Sequence, residues 1–481
     1  MLSIFQKVKG VLHGGKYGRL AKNSIYLTFS LFGSKLLGFL LVPLYTSVLQ
    51  TAEMGMMDVV STTATLLLYA VSLNIGDSVF IFSMDKQYDS GSILKIGIKV
   101  IIRGLTISTI GLFVFSYFNP VHWPLYCYGF LWLTLVLNAF SSVVTSYLRA
   151  EDKVKVIAVS GVISTAVAIA CNLLFLLVFK FGIVGFFAAG VIGSAIALTY
   201  SIISADGFIE TARKSPADRA LQKAMLKYSL PLVINGISWW INTSLDHYFI
   251  TAMSGLDLTG IYSVASKTPT ILSTVNSIFL QAWSISAVKE FDKDDKDGFF
   301  SNTYTGYSSA LIFCSSILIL MNVPLAKLLY AKDFFFAWRS SSWLILSVLF
   351  NSMAGFSGSI FGAVKNSRAY AVSTIGAAGV NILLDFLLIP KYQEVGAAIA
   401  TAVSFFVLFL SRRLYSRKFI HWKPKTYRDL IAYPVLVIQI ILDHGTSHSY
   451  PWQFVCLIVL LILYREVIIS GIKKVVCKVR T

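Results

Sequence analysis

Several stretches of this chain carry ionisable or amide side chains where the surroundings are otherwise apolar, and their spacing decides what chemistry they can do. Asn235, Trp239, Asn242 and Asp246 follow helical periodicity, and His247 comes directly after Asp246. Asn381 and Asp385 stand at i and i+4. Lys95, Lys99 and Arg103 recur at i, i+4 and i+8, so one helical face carries all three. Lys35 and Lys267 are isolated cations, and Thr268-Pro269 follows the second of them. Amides and indoles suit hydroxyl-rich rings, through hydrogen bonds and stacking, but polar residues also act as glue between packed helices. A carboxylate beside a histidine or an amide can take up and release a proton or ion, or it can form a static salt bridge. Lysine and arginine suit phosphate, or anchor a helix at an interface.

Other chemistries are missing. Gly14-Gly15-Lys16-Tyr17-Gly18 is too short for a G-x-x-x-x-G-K-[ST] phosphate loop, so the chain has no such route to ATP hydrolysis. Cys127, Cys171, Cys314, Cys456 and Cys477 form no close pair and have no histidine at ligand spacing, which argues against a disulfide framework or a zinc site. No cluster of carboxylates or histidines suggests acid–base or metal catalysis, and no cofactor is expected.

The elements that must hold these residues are membrane helices. With 56% hydrophobic residues, 13% charged residues and a mean hydropathy of +0.72, the chain is too apolar for water to be its only solvent. Crossing a hydrocarbon core of ~30 Å takes about 20 mostly apolar residues. Fourteen such runs are present, centred near Leu37, Leu67, Thr106, Leu135, Val167, Val191, Ser238, Val275, Ile312, Leu349, Gly379, Val403, Val437 and Ile458. They are continuous rather than alternating, so the predicted fold is all-α rather than a barrel. With a cytoplasmic amino terminus, the outside loops hold only Lys180, Lys327, Lys332, Arg339 and Lys391, which satisfies the positive-inside bias. Both termini are therefore predicted to be cytoplasmic. The net charge of +18, densest over Arg412 to Arg428, is explained by topology and anionic lipid, and no nucleic-acid partner is implied. Ahead of the first span, Lys7, Lys9, Lys16, Arg19 and Lys22 alternate with apolar residues, which reads as an interfacial helix rather than a signal peptide.

The chain also repeats itself. Lys22–Ser72 aligns without a gap on Lys227–Ser277, with identities that include Ser24/Ser229, Thr46/Thr251, Gly55/Gly260, Thr63/Thr268 and Ser72/Ser277. Asn172-Leu-Leu-Phe and Val184-Gly185 are echoed by Asn381-Ile-Leu-Leu and Val395-Gly396. Six spans per repeat is an even number, so the copies are parallel, as in many two-halved carriers. The predicted divisions are an amphipathic segment 1–22, a first repeat 23–205, a cytoplasmic linker 206–227, a second repeat 228–412, and 413–481 with a basic loop, an appended helix hairpin and a tail. In the alignment Lys35 faces Trp240, Leu41 faces Asp246 and Thr62 faces Lys267, so each deep charge meets a neutral counterpart.

Depth makes these charges candidates for function, because an ionisable group at the bilayer centre costs at least ~2.5 kcal/mol. Lys35 lies ~18 Å along the first helix from Asn23, near mid-membrane. It has two open roles, a salt bridge to Asp58 or Asp77 and substrate binding. Lys267 stands beside the kink expected at Pro269, where it can line a cavity or snorkel outward. Arg103 is the deepest of its stripe.

Taken together, Asn23-Ser-Ile-Tyr with Pro43-Leu-Tyr, Thr51-Ala-Glu-Met-Gly55, Asn74-Ile-Gly-Asp77, Leu148-Arg149-Ala-Glu-Asp-Lys153 and six plus six plus two spans resemble the Wzx-type polysaccharide flippases. These form the polysaccharide transport family of the multidrug, oligosaccharidyl-lipid and polysaccharide exporter (MOP) superfamily. The resemblance covers the whole chain. It implies translocation of an undecaprenyl-pyrophosphate-linked glycan across a bacterial inner membrane by alternating access, alongside a polymerase and other assembly proteins. Lys35, Arg103 and Lys267 would then meet pyrophosphate, and Asn235, Trp239 and Asn242 the glycan. Asp77, Asp246 or Asp385 would carry a coupling ion. Relatives that flip the peptidoglycan precursor have basic residues on spans one and eight, where Lys35 and Lys267 stand, whereas span two has none here. A multidrug antiporter of the same superfamily is the alternative, and a membrane-embedded transferase a more distant one.

Overall fold

The computed structural model describes residues 35, 38–467 and 469, apart from 86, 206–207, 216–217, 365, 423–425 and 445–449. The amphipathic segment around Lys7, Lys9, Lys16, Arg19 and Lys22 lies outside the described residues, as does Leu37 at the centre of the first span. Every regular element among the described residues is helical, as apolar runs require in a solvent that cannot hydrogen-bond the backbone. In chain order the helices are α1 Val42–Val48, α2 Thr51–Ser72, α3 Ile75–Ser83, α4 Ser90–Phe118, α5 Leu125–Ala150, α6 Val154–Asn172, α7 Gly182–Ile203, α8 Phe208–Lys214 and α9 Arg219–Ser254. They continue with α10 Leu256–Ala265, α11 Lys267–Lys289, α12 Phe299–Leu320, α13 Asn322–Leu329, α14 Trp338–Ala363, α15 Ser367–Ser416, α16 Thr426–Asp443 and α17 Tyr450–Leu463. Apart from Leu37, every predicted span centre falls on one of these helices. The protein is a multi-pass membrane protein.

Local breaks follow local chemistry. Between α10 and α11 the chain turns at Ser266, and Pro269 occupies the first turn of α11, where a missing N–H leaves no helical bond unmade. The long α15 contains two predicted spans and breaks at Gln393 (φ 51°, ψ −130°), just after Pro390. Beyond Asn172, α6 widens into a π-turn over Leu173–Val178.

The chain divides into two compact units. The first holds Met56–Trp240 together with the residues up to Leu41, and the second holds Val42–Gly55 and Ile241–Thr481. The core of the first is built from Ile75, Ile93, Leu94, Leu135 and Val143, among others. The segment expected to be a polar linker packs into this core. It folds into α8 and the start of α9, burying Phe208, Ala212, Leu221 and Met225, while Lys95 donates to the Ser215 carbonyl at 2.6 Å and Ser78 to that of Met225 at 2.7 Å.

In the second unit, the repeat-equivalent glycines Gly55 and Gly260 meet back to back. A Cβ on Gly55 would lie 2.0 Å from the Leu256 carbonyl oxygen, and one on Gly260 would lie 2.0 Å from that of Thr51. Thr51 and Leu256 are themselves counterparts in the repeat, so the crossing is reciprocal. Thr51 also donates to Asp257.

The appended hairpin, α16 and α17, is held to the second unit by two buried carboxylates. Asp429 accepts from Tyr304 (2.8 Å), Tyr464 (2.7 Å) and Ser308 (3.3 Å), and Asp443 from Asn322 and Ser342 (both 2.8 Å) and Gln453 (3.4 Å). The basic stretch that begins at Arg412 is not all surface. Arg412 is buried, donating to Ser373, the Ala354 carbonyl and Thr374 at 3.1, 3.1 and 2.9 Å, with its guanidinium 3.9 Å above the Tyr370 ring. Arg413 stacks on Trp422 and Tyr304 at 4.2 and 4.5 Å. Weak hydration lets guanidinium charges sit on aromatic faces and hydroxyl oxygens where an ammonium would stay in water.

Candidate functional site

A buried polar cluster inside the second unit joins two of the ion candidates named from the sequence. Residues of α9 place Asp246 and His247 in the interior, 5% and 8% exposed, one turn after Asn242. From α15 come Asn381 and Asp385, 1% and 0% exposed, and further along the same helix Thr401. Asp246 accepts hydrogen bonds from the Tyr262 hydroxyl of α10, from Thr401 at 3.2 Å and from the His247 backbone N–H at 3.1 Å. The single Thr401 hydroxyl proton is shared with the Ala397 carbonyl at 2.9 Å. The His247 ring packs edge-on against Tyr262, and its Nε2 lies 3.9 Å from Asp246.

Asp385 is different. Both of its carboxylate oxygens are buried and receive no hydrogen bond from any described residue, and the amide nitrogen of Asn381, one turn earlier, is likewise unmatched. The groups that act on Asp385 electrostatically are Asp246 and His247. Two carboxylates in a space closed to water cannot both stay charged without a compensating positive charge. A proton or a monovalent cation suits this setting. Asp246, Asp385 and the Thr401 hydroxyl supply hard oxygen donors, and Asn381 a fourth if its amide oxygen turns inward. No group of three or more His, Cys, Asp or Glu that could hold a metal ion occurs among the described residues.

The other candidates are scattered over the two units. Asn242 is buried in the second unit and donates to the Thr374 carbonyl at 3.5 Å, so its amide is engaged in helix packing. Lys267 opens α11 in the same unit and is partly buried. Lys35, Arg103, Asn235 and Trp239 belong to the first unit and are exposed there, Trp239 by 40%. Asp77 is also exposed in the first unit and accepts from the Asn74 side chain at 2.7 Å, in the first turn of α3. Reading the sequence missed Tyr262 and Thr401, because neither residue type is unusual in an apolar helix. Thr401 stands four residues after Ala397 and three before Ser404 on α15, and this spacing carries no signal of its own.

Comparison with known proteins agrees with this architecture. Residues 20–285 match the family model described as polysaccharide biosynthesis protein. No curated protein matches the chain. Among solved structures, the lipid II flippase MurJ in an inward closed conformation superposes with a TM-score of 0.69 at 17% identity, covering 92% of this chain and 100% of that one. An inward-facing multidrug resistance MATE family transporter of the MOP superfamily superposes at 0.60 with 14% identity, over 81% and 95%. A MOP superfamily transporter from Pyrococcus furiosus superposes at 0.53 with 15% identity, over 84% and 97%. With an all-helical membrane fold of the MOP type and a family model spanning more than half of its length, the chain belongs to the polysaccharide biosynthesis protein family.

Proposed function

We propose that this protein is a flippase that moves a pyrophosphate-linked oligosaccharide on undecaprenol from the inner to the outer leaflet of a bacterial cytoplasmic membrane. The product would feed capsule, exopolysaccharide or O-antigen assembly. Membership of the polysaccharide biosynthesis family carries the reading, and the likeness of the fold to a lipid II flippase supports it. Exposed Lys35 and Arg103 in the first unit and Lys267 in the second are the cations offered to the pyrophosphate, and exposed Asn235 and Trp239 the groups offered to the sugars, whereas Asn242 is taken up in packing. Alternating access would carry the headgroup across while the lipid tail stays in the bilayer, with both termini cytoplasmic.

The return step would be driven by a monovalent cation or proton entering as co-substrate, taken up by Asp246 and Asp385. Hydrogen-bond donors already surround Asp246, whereas Asp385 keeps both oxygens open for it. The test is flipping of a fluorescent pyrophosphate-linked glycan by the purified chain in proteoliposomes. Lys35→Ala is expected to abolish flipping while the protein still inserts, and normal polymer output from that variant in cells would refute the assignment. Export of a cationic dye in place of the glycan would favour a multidrug antiporter.

A further inference from the structure

In the second unit, α14, α15 and α16 enclose a groove of about 700 Å³ that the proposed transport cycle does not use. Phe350, Phe406, Tyr433 and Ile438 represent its apolar lining, and Arg413, Arg417 and Asp429 gather at one end. From Ala402 to Arg417 the α15 wall is about 22 Å long at the helical rise. One leaflet of a ~30 Å core is about 15 Å deep, so a wall of this length is enough to reach from mid-membrane into the headgroup layer.

The charges at that end do not cancel. Asp429 is occupied by three hydroxyl donors and acts electrostatically on Arg413, which is buried against Trp422 and Tyr304. Arg417 is exposed and forms no ion pair among the described residues, leaving a guanidinium in excess at the mouth of a hydrocarbon slot. Basic pockets between membrane helices at headgroup level select anionic lipids.

We infer that this groove binds one anionic glycerophospholipid from the leaflet at its basic end, with the phosphate on Arg417 and an acyl chain lying between α15 and α16. The occupant is a glycerophospholipid rather than a polyprenyl phosphate because the slot is one leaflet deep and a chain of undecaprenyl length exceeds it severalfold. The lipid fills the space between the appended hairpin and the body of the unit, acting there as a packing element.

Native mass spectrometry of the full chain in detergent tests this by titration with phosphatidylglycerol and with phosphatidylcholine of identical acyl chains. Wild type is expected to bind phosphatidylglycerol about tenfold more tightly. Arg417→Glu should erase that preference and Arg417→Lys keep most of it. Ile438→Trp, at a half-exposed lining position, should weaken both lipids. Equal affinity for the two lipids in wild type, or a preference that survives Arg417→Glu, overturns the inference. Displacement of phosphatidylglycerol by equimolar undecaprenyl phosphate also overturns it, by making the groove a substrate-tail site.

Discussion

Asp385→Asn separates a cation site from a structural network more cleanly than any other change to this chain. The side chain keeps its shape and loses its charge at a position with 0% exposure and no hydrogen-bond donor among the described residues. Were Asp385 a partner in a buried ion pair, neutralising it would cost about 3–5 kcal/mol of stability. As one of two interacting carboxylates that take up a cation, it would contribute no stability in cation-free buffer, and the variant should unfold there no earlier than wild type. The difference emerges when cation is added. Losing one of two anionic ligands, at about 3 kcal/mol, weakens cation affinity roughly a hundredfold. At a concentration one hundred times the wild-type Kd, wild type gains about 2.7 kcal/mol and the variant only about 0.4. For a unit of this size that is a rise in Tm of roughly 5–11 °C against roughly 1 °C. The assay is thermal unfolding in detergent, exchanging choline for sodium at fixed pH and ionic strength and then varying pH at fixed sodium. A variant that melts earlier without cation, or responds to sodium and pH as wild type does, would refute the carboxylate-pair reasoning.

Three other perturbations follow from the packing. Gly55→Ala should cost about 1–3 kcal/mol in thermal or denaturant melts, because its Cβ meets backbone that cannot give way, whereas Gly379→Ala, on an open helix face, should be neutral or stabilise by about 0.5–1 kcal/mol. Asp443→Ala strands the buried Ser342 hydroxyl and leaves the Asn322 amide only the Trp338 carbonyl and Ser342 Oγ, so it should cost about 1–3 kcal/mol, with protease sensitivity appearing first in the α16–α17 hairpin. The Asp89 carboxyl is held below the usual carboxylate range, first by the Ser215 hydroxyl and then by the Ser92 N–H at the start of α4. A carboxyl with a lowered folded-state pKa gives stability that is complete above its ordinary pKa and lost as pH falls through the lowered value, so Asp89→Ala should loosen α8 at neutral pH and change little in acid, read by proteolysis near Ser215.

Much of the scaffold was legible because lipid enforces a simple rule, and apolar runs long enough to span the bilayer announced the long helices, whereas the short α8 and α13 carry no such run. Pro269 also marked a real break, since a ring without an N–H has few tolerated places in a helix, whereas the break after Pro390 went unread. Asp246 and Asp385 stood out separately because a charge at bilayer depth is costly, yet nothing local revealed that they act on one another, since α9 and α15 meet only after the second unit has folded. Tyr262 and Thr401 were invisible for the opposite reason, being residues that any apolar helix accommodates. The burial of Arg412 and Arg413 was hidden by composition: adjacent arginines at the head of a basic loop read as surface until Tyr370, Tyr304 and Trp422 supply faces for them.

The Gly55–Gly260 crossing bears on how the two copies can be recombined. Each of these glycines meets the backbone of the other's helix, so hydrogen is the only substituent the contact admits at this spacing. A hybrid assembled from two copies of either repeat would therefore keep the crossing, because each copy brings its own glycine. The carboxylate pair obeys no such symmetry. Asp246 is matched by Leu41, so two second repeats would contain the pair twice and two first repeats would lack it.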